Sequence, residues 1–408
     1  MRKDIVENVD NRTRKSALTR AALIAAGGLF TTAVAGTADA GQIKTVFVIA
    51  MENHNWTQPA SQTSPGQIFG NVAAPYVNSL VTPGNPNAAQ VSYASNYLNV
   101  GAGIHPSEPN YIWAEAGSNL GVLNDNDPFQ TPGGTDQTTP NSLSNYLQLS
   151  GKSWRSYQED TDLNRANNQP VPKSQYTVPL SSFSGTFTSG TNQYNGSNQY
   201  NYAAKHNPQV FFSTTNGGND PTSANPLAQK YAPLQQLTTD LAGNTVAQYN
   251  WITPNQYNDQ HTALNGGFTY NGVHYTGDQA NIAQGDSFLS QLVPQIEASQ
   301  AYKDDGAIVI WWDETEGWDG PDRALGEIVI SPDAKGNAYT NQIRYTHSSD
   351  LLTMQEIFNV GPCLRDACNA NDLSDLFVEG AIPTRSPTTS SRSRCRDYCS
   401  SAVYSAWV

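Results

Sequence analysis

The chain has 408 residues, with 22 basic and 35 acidic side chains, a net charge of −13 and a mean hydropathy of −0.52. That length can bury a large core, and without an internal repeat, heptad run or second long hydrophobic span one large domain is expected. The acidic balance works against docking on nucleic acid or anionic lipid headgroups, so an anionic substrate would need a local reversal of the field, which a bound cation could supply.

At the start, Arg12, Arg14, Lys15 and Arg20 precede the apolar stretch AALIAAGGLFTTAVAG, and Ala38 and Ala40 follow with A-x-A spacing. This three-part pattern is expected to be a secretory signal peptide over residues 1–40, with a secreted or periplasmic chain beginning at Gly41. The alternative is a single membrane anchor, but the run is shorter than the roughly 20 residues that span a bilayer, so no stable insertion is expected after cleavage. Cleavage would leave 22 less 6 basic and 35 less 4 acidic residues, a net charge of −15.

The first buried-strand signature is KTVFVIAM at 44–51, which runs without a break into Glu52, Asn53, His54, Asn55 and Trp56. A strand returning to solvent would usually leave through Gly, Pro or Asp. This one delivers a carboxylate, a carboxamide and an imidazole, and ligands in open α/β sheets sit beyond the carboxyl ends of strands. Next, GIHPSEPNYIWAEAG places Ser107 before Glu108, Pro109 and an apolar helical run. That pattern reads as a helix N-cap, and the same place favours an anion such as phosphate.

A helix is expected over 141–151, between the polar stretches 124–142 and 183–204, which read as long loops. After them come Lys205 and His206, placed either as substrate contacts or as a solvent-facing loop pair. NPQVFFST at 207–214 reads as a short strand. AQYNWITP at 247–254 is another buried strand and ends toward Asn255, Asn258, Asp259 and His261. A helix is predicted from Asp286, taken as its N-cap, to Tyr302. DGAIVIWWD at 305–313 is the third buried strand and ends in Asp313 and Glu314. Beyond it, Asp319 and the aromatics Trp311, Trp312 and Trp318 are candidates for the mouth of a site, the aromatics having a core role as the alternative. His347 stands just before a helix that opens with Ser348, Ser349 and Asp350.

Strands alternating with helices predict an α/β fold, a mostly parallel central sheet with helices on both faces. The catalytic domain is expected over 41–383 and a low-complexity tail over 384–408. Four cysteines in an exported chain are expected to pair locally, Cys363 with Cys368 and Cys395 with Cys399; a zinc knuckle is the rival reading.

The motifs MENHNW, HPSEPNY, TPNQYNDQH, WWDETEGWDGP and YTHSSDLL, in this order across residues 43 to 380, resemble the phosphoesterase family of bacterial phospholipases C and acid phosphatases, within the alkaline phosphatase superfamily. The resemblance implies an alkaline phosphatase-like fold, with metal ligands at Glu52, Asn53, Asp313 and Glu314 and a nucleophile at Ser107 that also touches the metal. It further implies that Asp259, His261 and His347 hold either a second metal or the phosphate. Two departures, a Glu-Asn pair for the first acid and Asp-Glu in place of a late Asp-His, leave the number and identity of metals open.

An all-oxygen shell suits Mg, Ca or Mn, whereas Asp259, His261 and His347 form a mixed set that could take zinc or act as phosphate donors and the general acid. The expected activity is hydrolysis of small phosphate monoesters through a phosphoserine, as an acid phosphatase does, with no β-sandwich pattern visible after residue 380. A phospholipase C acting on phosphodiesters is the alternative enzyme, and a secreted binding protein on the same fold the alternative outside catalysis. Clustered carboxylates without a cation would repel one another, which favours metal-dependent chemistry over a binding role.

Overall fold

The run Thr45–Met51 (β1) forms a central strand of an eight-stranded sheet in the computed structural model, which describes residues 41–161, 191–219 and 225–383. In chain order there follow α1 (Pro75–Leu80), β2 (Val91–Ala94), α2 (Ser107–Ala116), α3 (Leu143–Leu149), β3 (Trp154–Gln158), α4 (Ser213–Asn216), β4 (Tyr231–Pro233), α5 (Gln235–Gly243) and β5 (Tyr249–Thr253). The second half adds β6 (Phe268–Tyr270), β7 (Val273–Tyr275), α6 (Asp278–Ala298), α7 (Gln300–Lys303), β8 (Gly306–Trp312), β9 (Glu327–Ile330), β10 (Tyr339–Asn341) and α8 (His347–Ile357).

The strand order is β10-β2-β9-β8-β1-β5-β3-β4, and β6 and β7 form a separate hairpin. The pairs β4–β3, β3–β5, β5–β1, β1–β8 and β2–β10 are parallel, while β9 runs antiparallel to both β8 and β2. Only β9 therefore opposes the common direction. The sheet is mostly parallel, as the pattern of β1, β5 and β8 predicts: all three are buried along their length, apart from Thr45 at the start of β1.

Alternation along β1 sends its side chains to two helical layers. Val48 lines one small cavity with Ala114 of α2 and Leu351 and Met354 of α8 on one face, whereas Met51 approaches Gly285 of α6 on the other. Helices thus cover both faces, and one hydrophobic core extends from Ile43 to Ile382.

Two predicted elements differ. The helix expected from Asp286 begins at Asp278, with Gly277 as N-cap. Asp286 instead lies inside α6 and caps its neighbour, accepting from the backbone N–H groups of Tyr76 (2.9 Å) and Val77 (2.7 Å) at the start of α1. The strand expected at 207–214 is a 3-10 turn over Pro208–Phe211 running into α4. Pro208 has no N–H to give to a ladder, and Val210, Phe211 and Phe212 are buried against the core without strand pairing beyond a single bridge from Phe212 to Gln137.

Cys363 and Cys368 are joined in a disulfide, as their spacing suggested. The predicted signal peptide at 1–40, the tail at 384–408 with Cys395 and Cys399, and part of the polar stretch 183–204 lie outside the described residues. Among the described residues no helix is long and apolar enough to cross a membrane.

Candidate active site

Because β5, β1 and β8 are adjacent and parallel, their carboxyl ends open on one edge of the sheet. Met51 pairs in register with Trp312, so Glu52 and Asp313 leave the sheet side by side. The backbone N–H of Asn53 donates to Asp313 Oδ1 at 3.1 Å, and that of Glu52 to the carbonyl of Asp259 at 2.8 Å. Two residues here adopt left-handed backbone: Asn53 (φ 43°), which a short amide tolerates, and Gln260 (φ 86°), for which the conformation is costly. Gln260 is held there by the Trp312 indole N–H, which donates to its Oε1 at 2.8 Å.

Ser107 is the first residue of α2, and Pro106 occupies the N-cap position without a side-chain bond. The capping expected of Ser107 is therefore absent, and its hydroxyl turns to Glu52, donating to Oε2 at 3.0 Å. One helical turn later, Tyr111 donates to Glu52 Oε1 at 2.5 Å and stacks on the His206 ring, with centroids 5.1 Å apart and planes 16° apart. Ser107 and Tyr111 share a face because residues four apart align on a helix. That spacing was the signal by which sequence reasoning could have found Tyr111.

His206 stands between two carboxylates, with Nε2 3.2 Å from Glu52 Oε1 and Nδ1 3.4 Å from Asp259 Oδ2. Glu52, His206 and Asp259, all buried, each offer one ligand atom within 4.8 Å of the others. Asp313 completes an acidic wall beside Glu52. Burial, followed by the neighbouring carboxylates, pushes the pKa of Glu52 well up; burial also raises Asp259 and Asp313 and lowers His206.

Four buried polar atoms of these residues find no hydrogen-bond partner: Asn53 Oδ1, His206 Nε2, Asp259 Oδ2 and Asp313 Oδ2. Unpaired buried polar atoms are costly, and three carboxylates in an apolar setting disfavour one another's charge. A divalent cation would resolve both problems, so these residues fit one. Glu52, His206 and Asp259 make a mixed nitrogen and oxygen set, with Asp313 beside Glu52.

Lys205 supplies fixed positive charge nearby. Its Nζ donates to Asp125 Oδ2 at 2.9 Å, and although burial opposes its charge, Glu52 and Asp125 hold its pKa above the usual value. His261 lies at the edge, its backbone N–H on Asp259 Oδ1 at 2.8 Å and its ring 5.9 Å from that of His206.

Two sequence candidates have well-defined partners. Glu314 Oε2 is engaged by His105 Nδ1 at 2.6 Å and by the Asn110 amide at 3.1 Å. His105 also meets Asp319 Oδ1 at 2.9 Å, and these two acids, first Glu314, lift its pKa to about 9. His347 is fully buried: its Nδ1 accepts from the Trp311 indole at 2.8 Å and its Nε2–H faces the Asp313 carbonyl at 2.5 Å. Burial lowers its pKa to about 4. It thus braces the β8 end from behind.

Sequence reading passed over Glu159, just beyond β3. Its carboxylate accepts from the Asn258 amide at 2.9 and 3.0 Å and from the backbone N–H of Asn255 at 2.9 Å, fixing the loop that carries Asp259. The available signal was the strand end YQED, a fourth release of acids, obscured because Trp154–Gln158 is half polar.

A family model described as the Phosphoesterase family matches residues 99–361. A phosphate-repressible acid phosphatase of Penicillium chrysogenum is 24% identical over 273 residues, covering 65% of this chain and 52% of that protein. A phosphatidylinositol-3-phosphatase of Mycobacterium tuberculosis is 25% identical over 315 residues, 77% of this chain and 79% of that protein. The chain thus spans about half the length of the fungal relatives it matches. Among solved structures, a protein in the alkaline phosphatase superfamily from Vibrio parahaemolyticus aligns with a TM-score of 0.42 and 11% identity over 79% of this chain and 68% of that one. The phosphonate monoester hydrolase of Agrobacterium radiobacter aligns with 0.43 and 10% over 82% and 77%.

Proposed function

Because the chain belongs to the Phosphoesterase family, we propose that it hydrolyses phosphate monoesters in a cation-dependent reaction with Ser107 as nucleophile, after export from the cell. The observation that carries this reading is the contact of Ser107 Oγ with Glu52 Oε2 at 3.0 Å, at the rim of a buried acid and imidazole cluster with unpartnered ligand atoms.

Glu52, His206 and Asp259 would hold the cation, with Asn53 and Asp313 beside them. The imidazole favours zinc or iron over the Mg, Ca or Mn that an all-oxygen shell would select. When bound, the cation lowers the pKa of the serine hydroxyl and offsets charge on the phosphoryl oxygens.

The chain's own groups divide the remaining work. Glu52 orients the Ser107 hydroxyl and is the acceptor nearest its proton. Tyr111 fixes the other oxygen of that carboxylate. Lys205 draws the anionic ester against the acidic charge of the chain. Ser107 Oγ bonds to phosphorus as the ester P–O bond breaks, and His261 gives the departing alkoxide its proton. Water then cleaves the phosphoserine with the same groups in the reverse roles. Such catalysis rests on positioning and electrostatics.

The test is release of nitrophenol from 4-nitrophenyl phosphate by the intact protein and by Ser107→Ala, with and without a chelator. The expected loss in the variant is on the order of 10³-fold or more. Activity that persists in Ser107→Ala would sink the nucleophile assignment, and activity indifferent to the chelator would sink the cation.

A further inference from the structure

Among the described tryptophans Trp318 is alone in being largely exposed, at 63%, while Trp311 and Trp312, its companions in the same sequence stretch, are core residues. Leaving an indole in water forfeits the burial that aromatic side chains ordinarily gain, yet this ring is held in a fixed setting. The Arg323 guanidinium lies 3.7 Å from the indole centroid and is itself inaccessible to solvent. Arg323 is anchored by Gln62 Oε1 and Asp322 Oδ1, each at 2.7 Å. Its Nη1 is ion-paired with Asp322, while its Nη2 has no hydrogen-bond acceptor and the guanidinium lies over the ring. One indole face is thus pinned by a buried cation and the rest of the ring faces outward.

The segment carrying Trp318 is clamped between the two loops that hold the proposed nucleophile and its partner. On one side, Asp319 accepts from the Asn99 amide, from the backbone N–H of Gly103 at 2.6 Å and, at 2.9 Å, meets His105, two residues before Ser107. On the other, the Glu316 backbone bonds to Asn55, three residues after Glu52, at 2.8 and 3.0 Å. Gly317 makes the turn that precedes the indole, at φ 101°, where a side chain would be strained and would meet Gln62. The ring is therefore carried by a segment fixed to both walls of the strand-end site.

Resting on the monoesterase reading, we propose that Trp318 is a stacking platform for the alcohol portion of the substrate, selecting phosphate esters whose leaving group is planar and aromatic. The phosphoryl group is held inside by charge and polar groups, and the organic part must then cross the rim, where Trp318 offers a preorganised apolar surface. Arg323 keeps the ring from folding back onto the protein. The platform takes no part in bond making, so its contribution is to binding.

The experiment measures equilibrium binding of phenylphosphonate and of methylphosphonate, neither of which is a phosphate ester, to the full-length protein, to Trp318→Ala and to Trp318→Phe. The intact protein is expected to bind the phenyl compound more tightly by about three- to tenfold, the span of an aromatic pair. Trp318→Ala should erase that difference while leaving methylphosphonate affinity unchanged, and Trp318→Phe should keep much of it. A phenyl preference that survives in Trp318→Ala, no preference in the intact protein, or no binding of either compound overturns the proposal. Because binding needs no turnover, a protein that shows the preference yet hydrolyses no monoester would support the platform while removing the hydrolase reading.

Discussion

Ser107 and Tyr111 sit one turn apart on α2 and divide a single carboxylate between them, the serine donating to Oε2 of Glu52 at 3.0 Å and the tyrosine to Oε1 at 2.5 Å. The helix thereby sets the orientation of the acid that leaves β1, and the acid in turn sets the rotamer of the serine. Local helix geometry and long-range strand order meet at that one side chain.

Tyr111→Phe should therefore keep the stack on His206 while freeing one oxygen of Glu52. A hydrogen bond to a charged group is worth about 1.5–3 kcal/mol, so kcat/KM for a phosphate monoester is expected to fall roughly tenfold to a hundredfold. Thermal stability should hold within a few degrees. An unchanged kcat/KM would mean that the tyrosine does not orient the acid.

Cation binding should be visible as stability. A cation that binds only the folded state at a hundred times its Kd adds about 2.7 kcal/mol, so Tm should rise when zinc is added to chelator-treated protein. Asp259→Asn removes one member of the ligand set and the mutual repulsion together. It is expected to raise the Tm of the metal-free protein and to abolish the increment from added cation. If the increment survives, the cation sits elsewhere.

Away from the site, burial lifts the pKa of Glu115 to about 7, although Ser144 and Gln209 bond its carboxylate. The folded state thus keeps a proton that the unfolded chain releases near pH 4.3. Folding then holds more protons, and stability from this group is full below about pH 4.3 and declines up to about pH 7. Glu115→Gln should flatten the fall in stability across that window, measured by urea unfolding at several pH values. An identical pH slope in the variant would refute the assignment.

Asp286 joins α6 to α1 by accepting two backbone N–H groups. Asp286→Ala leaves the buried Val77 N–H and the part-buried Tyr76 N–H without a partner, at a cost of about 1–3 kcal/mol. The midpoint of urea unfolding should fall accordingly, with kcat and KM unaltered in the folded protein. A midpoint equal to that of the intact protein would show the cap to be dispensable.

The residues that sequence made legible were those at the ends of continuous apolar runs. Thr45–Met51 and Gly306–Trp312 announce buried parallel strands by composition alone, and the polar residues that end them, Glu52, Asn53 and Asp313, prove to share one edge. His206 was legible as a residue of interest, though not as a neighbour of Glu52, which is 154 positions earlier in the chain. Glu314 and His347 had the right types in the right order, but their partners, His105 for one and Trp311 for the other, are chosen by packing. Helix onset was misread at Asp286 because a good capping residue can serve the neighbouring helix as well as its own.

Sequence by itself determined the α/β class, the central parallel strands and the polar strand ends, since those depend on hydrophobic periodicity and on chain-local chemistry. Only the tertiary structure decided that His206 and Asp259 lie with Glu52, that Ser107 faces an acid instead of capping its helix, and that Trp318 is held outward on Arg323. The reason is physical: strand order and helix docking bring together side chains up to hundreds of residues apart, and no local propensity carries that information.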